Sequence, residues 1–238
     1  MEPSTQDLAK LAELTYGNNK PDIDYTRIQD LSTDDIHTFK HNSNPHYVIS
    51  HRGTNLVGDG KKVQLKADMN ILKGNQDGDP LHRKRVRDTE NIIRKIKQDD
   101  PEHDVYLTGH SLGASTAQHA LIKSKYTRDN VKKFETFNAG SSPLYKIHLN
   151  KKNQVYKDIY DKSTHHVITG DGISQNAKNN MIGKIKTYNT KTKPTLKTKL
   201  WNFLKPFAMT SPITHLAHWS VDKFKDTLIN HSISNFTK

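Results

Sequence analysis

The sequence predicts an α/β fold. Short β-branched and aromatic runs alternate with helical stretches along the chain, the pattern of a sheet covered by helices. The run DVYLTG passes directly into SLGASTAQHALIKSK, so a buried strand is followed at once by a helix. The strongest helical pattern, DPLHRKRVRDTENIIRKIKQDD, stands between two such strands.

Taken in order, DLAKLAELTYGN sets Leu8, Leu11, Ala12 and Leu14 at helical spacing, with Gly17 as the stop. PHYVISHRGTN predicts a strand ending at Arg52-Gly53-Thr54, and the alternating KKVQLKADMNIL is expected to be its hairpin partner. The long helix carries Leu81, Val86, Ile92, Ile93 and Ile96, with Pro80 near its start. KKFETFNAG reads as a strand, NQVYKDIYDK as a short helix, and HHVITGDGIS as a strand that delivers Asp171. A single domain over residues 1–238 is expected, with a basic excursion at about 176–210. That stretch is rich in lysine, asparagine and threonine, has no acidic residue from Asn176 to Lys205, and reads as part hairpin, part loop. The C-terminal SPITHLAHWSVDKFKDTLINHSISNF has helical periodicity through Leu216, Val221, Phe224 and Leu228, with Ser211-Pro212 as its start.

At 238 residues the chain can bury roughly 70 % of its unfolded surface. Only 32 % of its residues are hydrophobic, so long polar loops are expected around the core. It has no cysteine, which excludes disulfides, thiolate metal sites and a cysteine nucleophile, and fits a reducing compartment. The start, MEPSTQDLAK, lacks the pattern of a signal peptide, and no run approaches the ~18 apolar residues of a spanning helix. A cytoplasmic or virion-associated protein is expected. The formal charge of +12 and pI of about 9.6 favour anionic partners, or read simply as a solvated, lysine-rich surface.

Gly109-x-Ser111-x-Gly113, between strand and helix, has the form of a nucleophile elbow. The turn is so tight that side chains two residues either side of the serine would collide. It exposes the hydroxyl above the sheet and sets the N–H of Leu112 at a helix N-terminus, where an oxyanion is favoured. The alternative is a glycine-bounded turn without chemistry. A serine needs a base and an acid, and elbow hydrolases carry them in the order serine, acid, histidine. Asp171 is the natural acid, although an ordinary Asp-Gly turn reads the same way. Three late histidines compete as base: His231, just after a helical stretch, is favoured over His218, and His215 is the third. The pair His215-x-x-His218 has metal-ligand spacing, but without an adjoining carboxylate or cysteine no metal site is expected there.

The set HYVISHRGT, VYLTGHSLGAS, FETFNAGSSP and HVITGDGIS, with the final HSISNF, resembles the class 3 lipases, from about His46 onward and in the same order. The resemblance implies the α/β-hydrolase fold, with a mixed, mostly parallel central sheet flanked by helices. It implies Ser111 as nucleophile, Asp171 as orienting acid and His231 as base, with His218 as the alternate. Thr54 would supply an oxyanion donor beside Leu112, the substrate would be a lipid ester, and no cofactor is needed. Ala114 stands where the family usually has glycine. The stretch matching the fungal lid, NLVGDGKKVQLK, is short and polar, so a large apolar lid is not expected.

Trp201, Phe203, Leu204, Phe207 and Met209, set among lysines, can be read as a peripheral contact with an anionic membrane surface or as aromatics packed back on the domain. Three other functions compete with a lipase or phospholipase: an esterase for small soluble esters, a non-catalytic lipid-binding module of the same fold, and a nucleic-acid binder. HRKRVR is the densest basic cluster, but no stacking platform accompanies it, so nucleic acid is not expected as a partner.

Overall fold

The computed structural model describes residues 1–17, 22–54, 70, 74–142, 153–169, 171, 174, 177–189, 233 and 236. Helix α1 spans Thr5–Leu14 and opens on a reciprocal cap, in which Ser4 Oγ accepts from Asp7 N and the Asp7 carboxylate accepts from Ser4 N. The strands are β1 (Tyr25–Arg27), β2 (Ile36–His41), β3 (His46–His51), β4 (Asp104–His110), β5 (Val131–Phe137), β6 (Ser163–Thr169) and β7 (Lys184–Asn189). Between them run α2 (Pro80–Asp99), α3 (Leu112–Lys123), α4 (Lys125–Asn130) and α5 (Gln154–Lys162). Asp79 caps α2 by accepting from Leu81 N and His82 N, with Pro80 at the first helical position.

The seven strands lie in one sheet in chain order, and every pair from β3 to β7 is parallel, while β1, β2 and β3 pair antiparallel. The α/β architecture expected from the sequence is therefore present, mixed and mostly parallel. Its order has a packing consequence. Right-handed crossovers that always step the same way across a sheet set their helices on one face. Ile92, Ile93 and Ile96 of α2, Ala117 and Leu121 of α3 and Ile159 of α5 accordingly share one core with Tyr47, Ile49, Val105, Leu107 and Phe134.

The opposite face has to be covered by other segments. Leu8, Leu11 and Ala12 of α1 pack there on Phe39, Val48, Tyr106 and Phe137, joined by Ile233. Val48 and Tyr106 point to this face while their neighbours in β3 and β4 point to the other, as the two-residue period of a strand requires.

Three features differ from the sequence-based expectation. Both edges of strand β3 are occupied, by β2 and β4; residues 61–72, expected as its hairpin partner, lie outside the described residues except for Asn70. The partner is β2, IHTFKH, whose histidines, threonine and lysine hide its strand character from a hydrophobic pattern. Residues 184–189, placed by the sequence in the basic excursion, form edge strand β7. All six are exposed, so pairing with β6 rather than an apolar face holds them. Arg85, read as part of a basic cluster, is fully buried: its guanidinium donates to Arg52 O at 2.7 Å and pairs with Asp35 at 2.9 Å. Among the described residues no helix is long and apolar enough to cross a membrane.

Candidate active site

Ser111 joins β4 to α3 with φ 56° and ψ −124°, a backbone conformation that L-residues rarely adopt. It occupies the N-cap of α3, where a serine ordinarily accepts a hydrogen bond from the first turn with its side chain. Here its hydroxyl makes no such bond. The strained torsion thus turns the hydroxyl away from the structural task that would explain a serine at this position.

Both flanking glycines are required by contact. A Cβ on Gly109 would sit 2.7 Å from Ala114 N, against the start of α3. One on Gly113 would come 2.1 Å from His51 O, because the first turn of α3 lies on the end of β3. Gly113→Ala is expected to destabilise the fold by roughly 3 kcal/mol through backbone displacement. Ala114→Gly should cost only about 1 kcal/mol of helix propensity. Urea unfolding of the two variants checks the contrast.

The end of β3 is fixed beside this elbow. His51 pairs with Gly109, so the chain leaves β3 toward Thr54 at the same sheet edge from which Ser111 leaves β4. Arg85 holds the Arg52 carbonyl from beneath. Gly53 lies so close to Tyr16 that a Cβ would be 1.8 Å from the phenol oxygen. Tyr16 itself hydrogen-bonds His110 Nδ1 at 2.8 Å, next to Ser111. Leu112, the expected second donor, is the first residue of α3, where the opening N–H groups have no partner within the helix.

Asp171 follows β6 by two residues and is buried. Its Oδ2 accepts from Ser174 N at 3.2 Å and from the Ser174 hydroxyl. Strand β5 separates β4 from β6, so the two loops leave the sheet two strand spacings, about 10 Å, apart. That gap is too wide for a serine and an aspartate to close directly, and an imidazole between them would bridge it.

Asn138 spans the gap in the backbone. Phe137 O accepts from Ser111 N at 3.2 Å, Asn138 N donates to His166 O at 2.8 Å, and Asn138 Oδ1 accepts from Ile168 N at 3.0 Å. Asn138 makes its two bonds to β6 from a left-handed φ of 46°, a region that asparagine tolerates better than most residues.

Sequence reasoning quoted the Asn-Ala-Gly motif without assigning Asn138 this role, and it missed Tyr16 and Arg85. The signal for Arg85 was its place on the buried stripe with Thr89, Ile92 and Ile96. The base candidates His231, His218 and His215 lie outside the described residues, as do residues 55–66 at the lid position and Trp201, Phe203, Leu204, Phe207 and Met209. Among the described residues no cluster of three or more acidic or histidine side chains would hold a metal ion.

A parallel sheet that presents a glycine-flanked serine at a strand–helix elbow, with an aspartate after the strand next but one, is the α/β-hydrolase architecture. The model of the lipase (class 3) family matches residues 48–180, more than half of the chain, and the chain belongs to that family. The matched region contains Thr54, Ser111, Leu112 and Asp171. Among solved structures the chain is similar to lipase II from Rhizopus niveus, at 18 % identity and TM-score 0.48, over 72 % of this chain and 74 % of that one. It is also similar to a fungal lipase solved as an inhibitor complex, at 15 % identity and TM-score 0.44, over 69 % and 72 % of the two chains. No curated protein matches the chain in sequence.

Proposed function

We propose that this protein hydrolyses carboxylic esters of lipids through an acyl-enzyme on Ser111. The observation that carries the proposal is the serine at φ 56° whose hydroxyl leaves its helix uncapped, a strain with no structural return. In the first step a histidine takes the Oγ proton as Oγ attacks the ester carbonyl. The tetrahedral oxyanion meets the N–H groups of Leu112 and Thr54. The intermediate then collapses, the leaving alcohol takes the proton from the imidazolium, and the acyl group stays on Ser111. Water, deprotonated by the same histidine, attacks the acyl carbonyl, and as the second tetrahedral intermediate collapses the imidazolium returns the proton to Ser111 Oγ and the carboxylic acid leaves.

Asp171 would orient the imidazole and stabilise its charged form. His231 is the base this reading favours. Two residues further on, Ile233 is buried in the cluster that contains Phe137, and the Phe137 carbonyl binds the Ser111 amide. Phe236 packs on the Phe137 ring at 5.1 Å.

A fluorophosphonate probe tests the chemistry directly. The wild-type chain should label stoichiometrically and Ser111→Ala should not. Equal labelling of both, or of neither, removes the activated serine and leaves a binding module. With p-nitrophenyl esters, a rate that rises with acyl length supports a lipid substrate, whereas a sharp preference for acetate assigns small soluble esters.

A further inference from the structure

Beside the end of β3, on the α1 side of the sheet, lies a cleft of about 140 Å³ lined by Thr15, Tyr16, Arg27, Asp34, His37 and Arg52. Its basic groups come from three places: Arg27 from β1, His37 from β2, and Arg52 from the residue that follows β3. Arg27 Nε, Arg52 Nε and His37 Nδ1 are buried and have no hydrogen-bond partner, and His37 is only 5 % exposed. Among the described residues neither guanidinium forms an ion pair, although the exposed Asp34 is nearby.

Two cations and an imidazole donor site therefore share this space with a single carboxylate, Asp34, that pairs with neither guanidinium at ion-pair distance. Folding has accepted a cost here. Burial pulls the Arg27 guanidinium below its ordinary value; the attraction of Asp34 opposes this and exceeds the smaller repulsion from Arg52, but does not restore the ordinary value. Burial first, then Arg27 and Arg52, push the His37 imidazole down to about 4 against the weaker opposite pull of Asp34 and Asp35. An anion in the cleft would relieve each of these.

We propose that this cleft is a phosphate-binding site, taking a tetrahedral phosphate anion, free or as part of a lipid headgroup, between Arg27, His37 and Arg52. Donors converging from two strands and the residue after a third suit a ligand with oxygens pointing several ways, and the guanidinium fork matches phosphate oxygens in pairs. A planar carboxylate offers fewer acceptor directions. The position is close to the elbow: Arg52 stands two residues before Thr54, and Tyr16, in the cleft wall, is bonded to His110. A headgroup held here would have its ester bonds near Ser111. The binding itself does not depend on the reaction at Ser111.

Calorimetric titration of the full chain with inorganic phosphate and with glycerophosphocholine, a soluble diester headgroup, tests the site. Saturable 1:1 binding is expected, and Arg27→Gln should weaken it roughly tenfold, the loss of one charge-assisted contact. Lys84→Gln removes an equal charge from the exposed face of α2 and should leave binding unchanged. Tighter binding of the diester assigns the lipid headgroup as the source, and tighter binding of inorganic phosphate assigns the free anion. In the wild-type chain, phosphate should also shift the His37 ring resonances in NMR spectra, a readout that needs no variant. Binding of neither ligand, equal losses in Arg27→Gln and Lys84→Gln, acetate binding as tightly as phosphate, or an unmoved His37 would each overturn the proposal.

Discussion

Ser111→Ala is expected to lower kcat for ester hydrolysis by roughly 10⁶-fold, and Asp171→Asn by about 10⁴-fold. The two losses should not add. On the proposed mechanism Asp171 acts only through the histidine that serves Ser111, so the double variant should match Ser111→Ala alone. Asp171→Asn keeps an acceptor for Ser174 but loses the charge that, on the proposed mechanism, holds the imidazolium, so kcat should fall with little change in KM.

The same position allows a test of strain. Ser111→Gly removes a Cβ from a torsion that disfavours one and should raise unfolding free energy by about 1 kcal/mol while abolishing turnover. A variant that is more stable and inactive is the mark of a residue selected for chemistry. If Ser111→Gly is destabilised and Ser111→Ala retains activity, the serine is structural and the ester-hydrolase reading fails.

The second large effect is a loss of stability in mild acid. His46, His119 and His165 are held by burial, each down to about 4, and His51 is pushed well below its ordinary 6.5 by burial and by Arg85. His165 shows how the neutral form is fixed. Its Nε2 faces the Ile182 carbonyl at 3.0 Å, which can only accept, so Nε2 carries the proton and Nδ1 accepts from the Thr136 hydroxyl at 2.7 Å.

The sign of the effect follows from proton counting. As pH falls below 6.5 the unfolded chain takes up protons that the folded chain refuses until about 4, so stability declines through that window. Each such histidine contributes about 2 kcal/mol of the loss by about pH 5. Several together approach the whole stability of an ordinary domain, roughly 5–15 kcal/mol.

Carboxylates respond later. Burial raises the pKa of Glu135, but hydrogen bonds from His166 at 2.8 Å and Lys133 at 2.6 Å overcome it and hold the group at about 2. Its contribution is present above 4.5 and lost only as pH falls toward about 2. Urea unfolding from about pH 7.5 to about pH 5 should therefore show a steep fall in ΔG, with the slope reduced by up to one proton in His165→Gln. A ΔG independent of pH across that range would show that the histidines are not neutral in the fold.

The strand–helix elbow at Ser111 was legible in sequence because such a turn is local. Two glycines, a serine, a preceding apolar strand and a following helix fall within about a dozen consecutive residues, and the torsions that make the turn depend on little else. The helices carried their own signals in the same way, from the Asp79-Pro80 start of α2 to the spacing of Ile92, Ile93 and Ile96. Asp171 was legible as an aspartate following an apolar strand.

Other features needed the assembled chain. Strand β2 has a polar sequence and β7 has no buried residue, so only their pairing partners make them strands. Arg85 reads as surface charge until the Arg52 carbonyl and Asp35 enclose it, and Tyr16 gains its meaning from His110, 94 residues further along the chain. The sequence by itself determined the local turn chemistry and the amphipathic helices, because backbone torsions and side-chain periodicity are set by near neighbours. The tertiary structure decided which strands meet, which charges are buried, and how Thr54, Ser111 and Asp171 come to one sheet edge, because those depend on burial and hydrogen bonding between residues far apart in the chain.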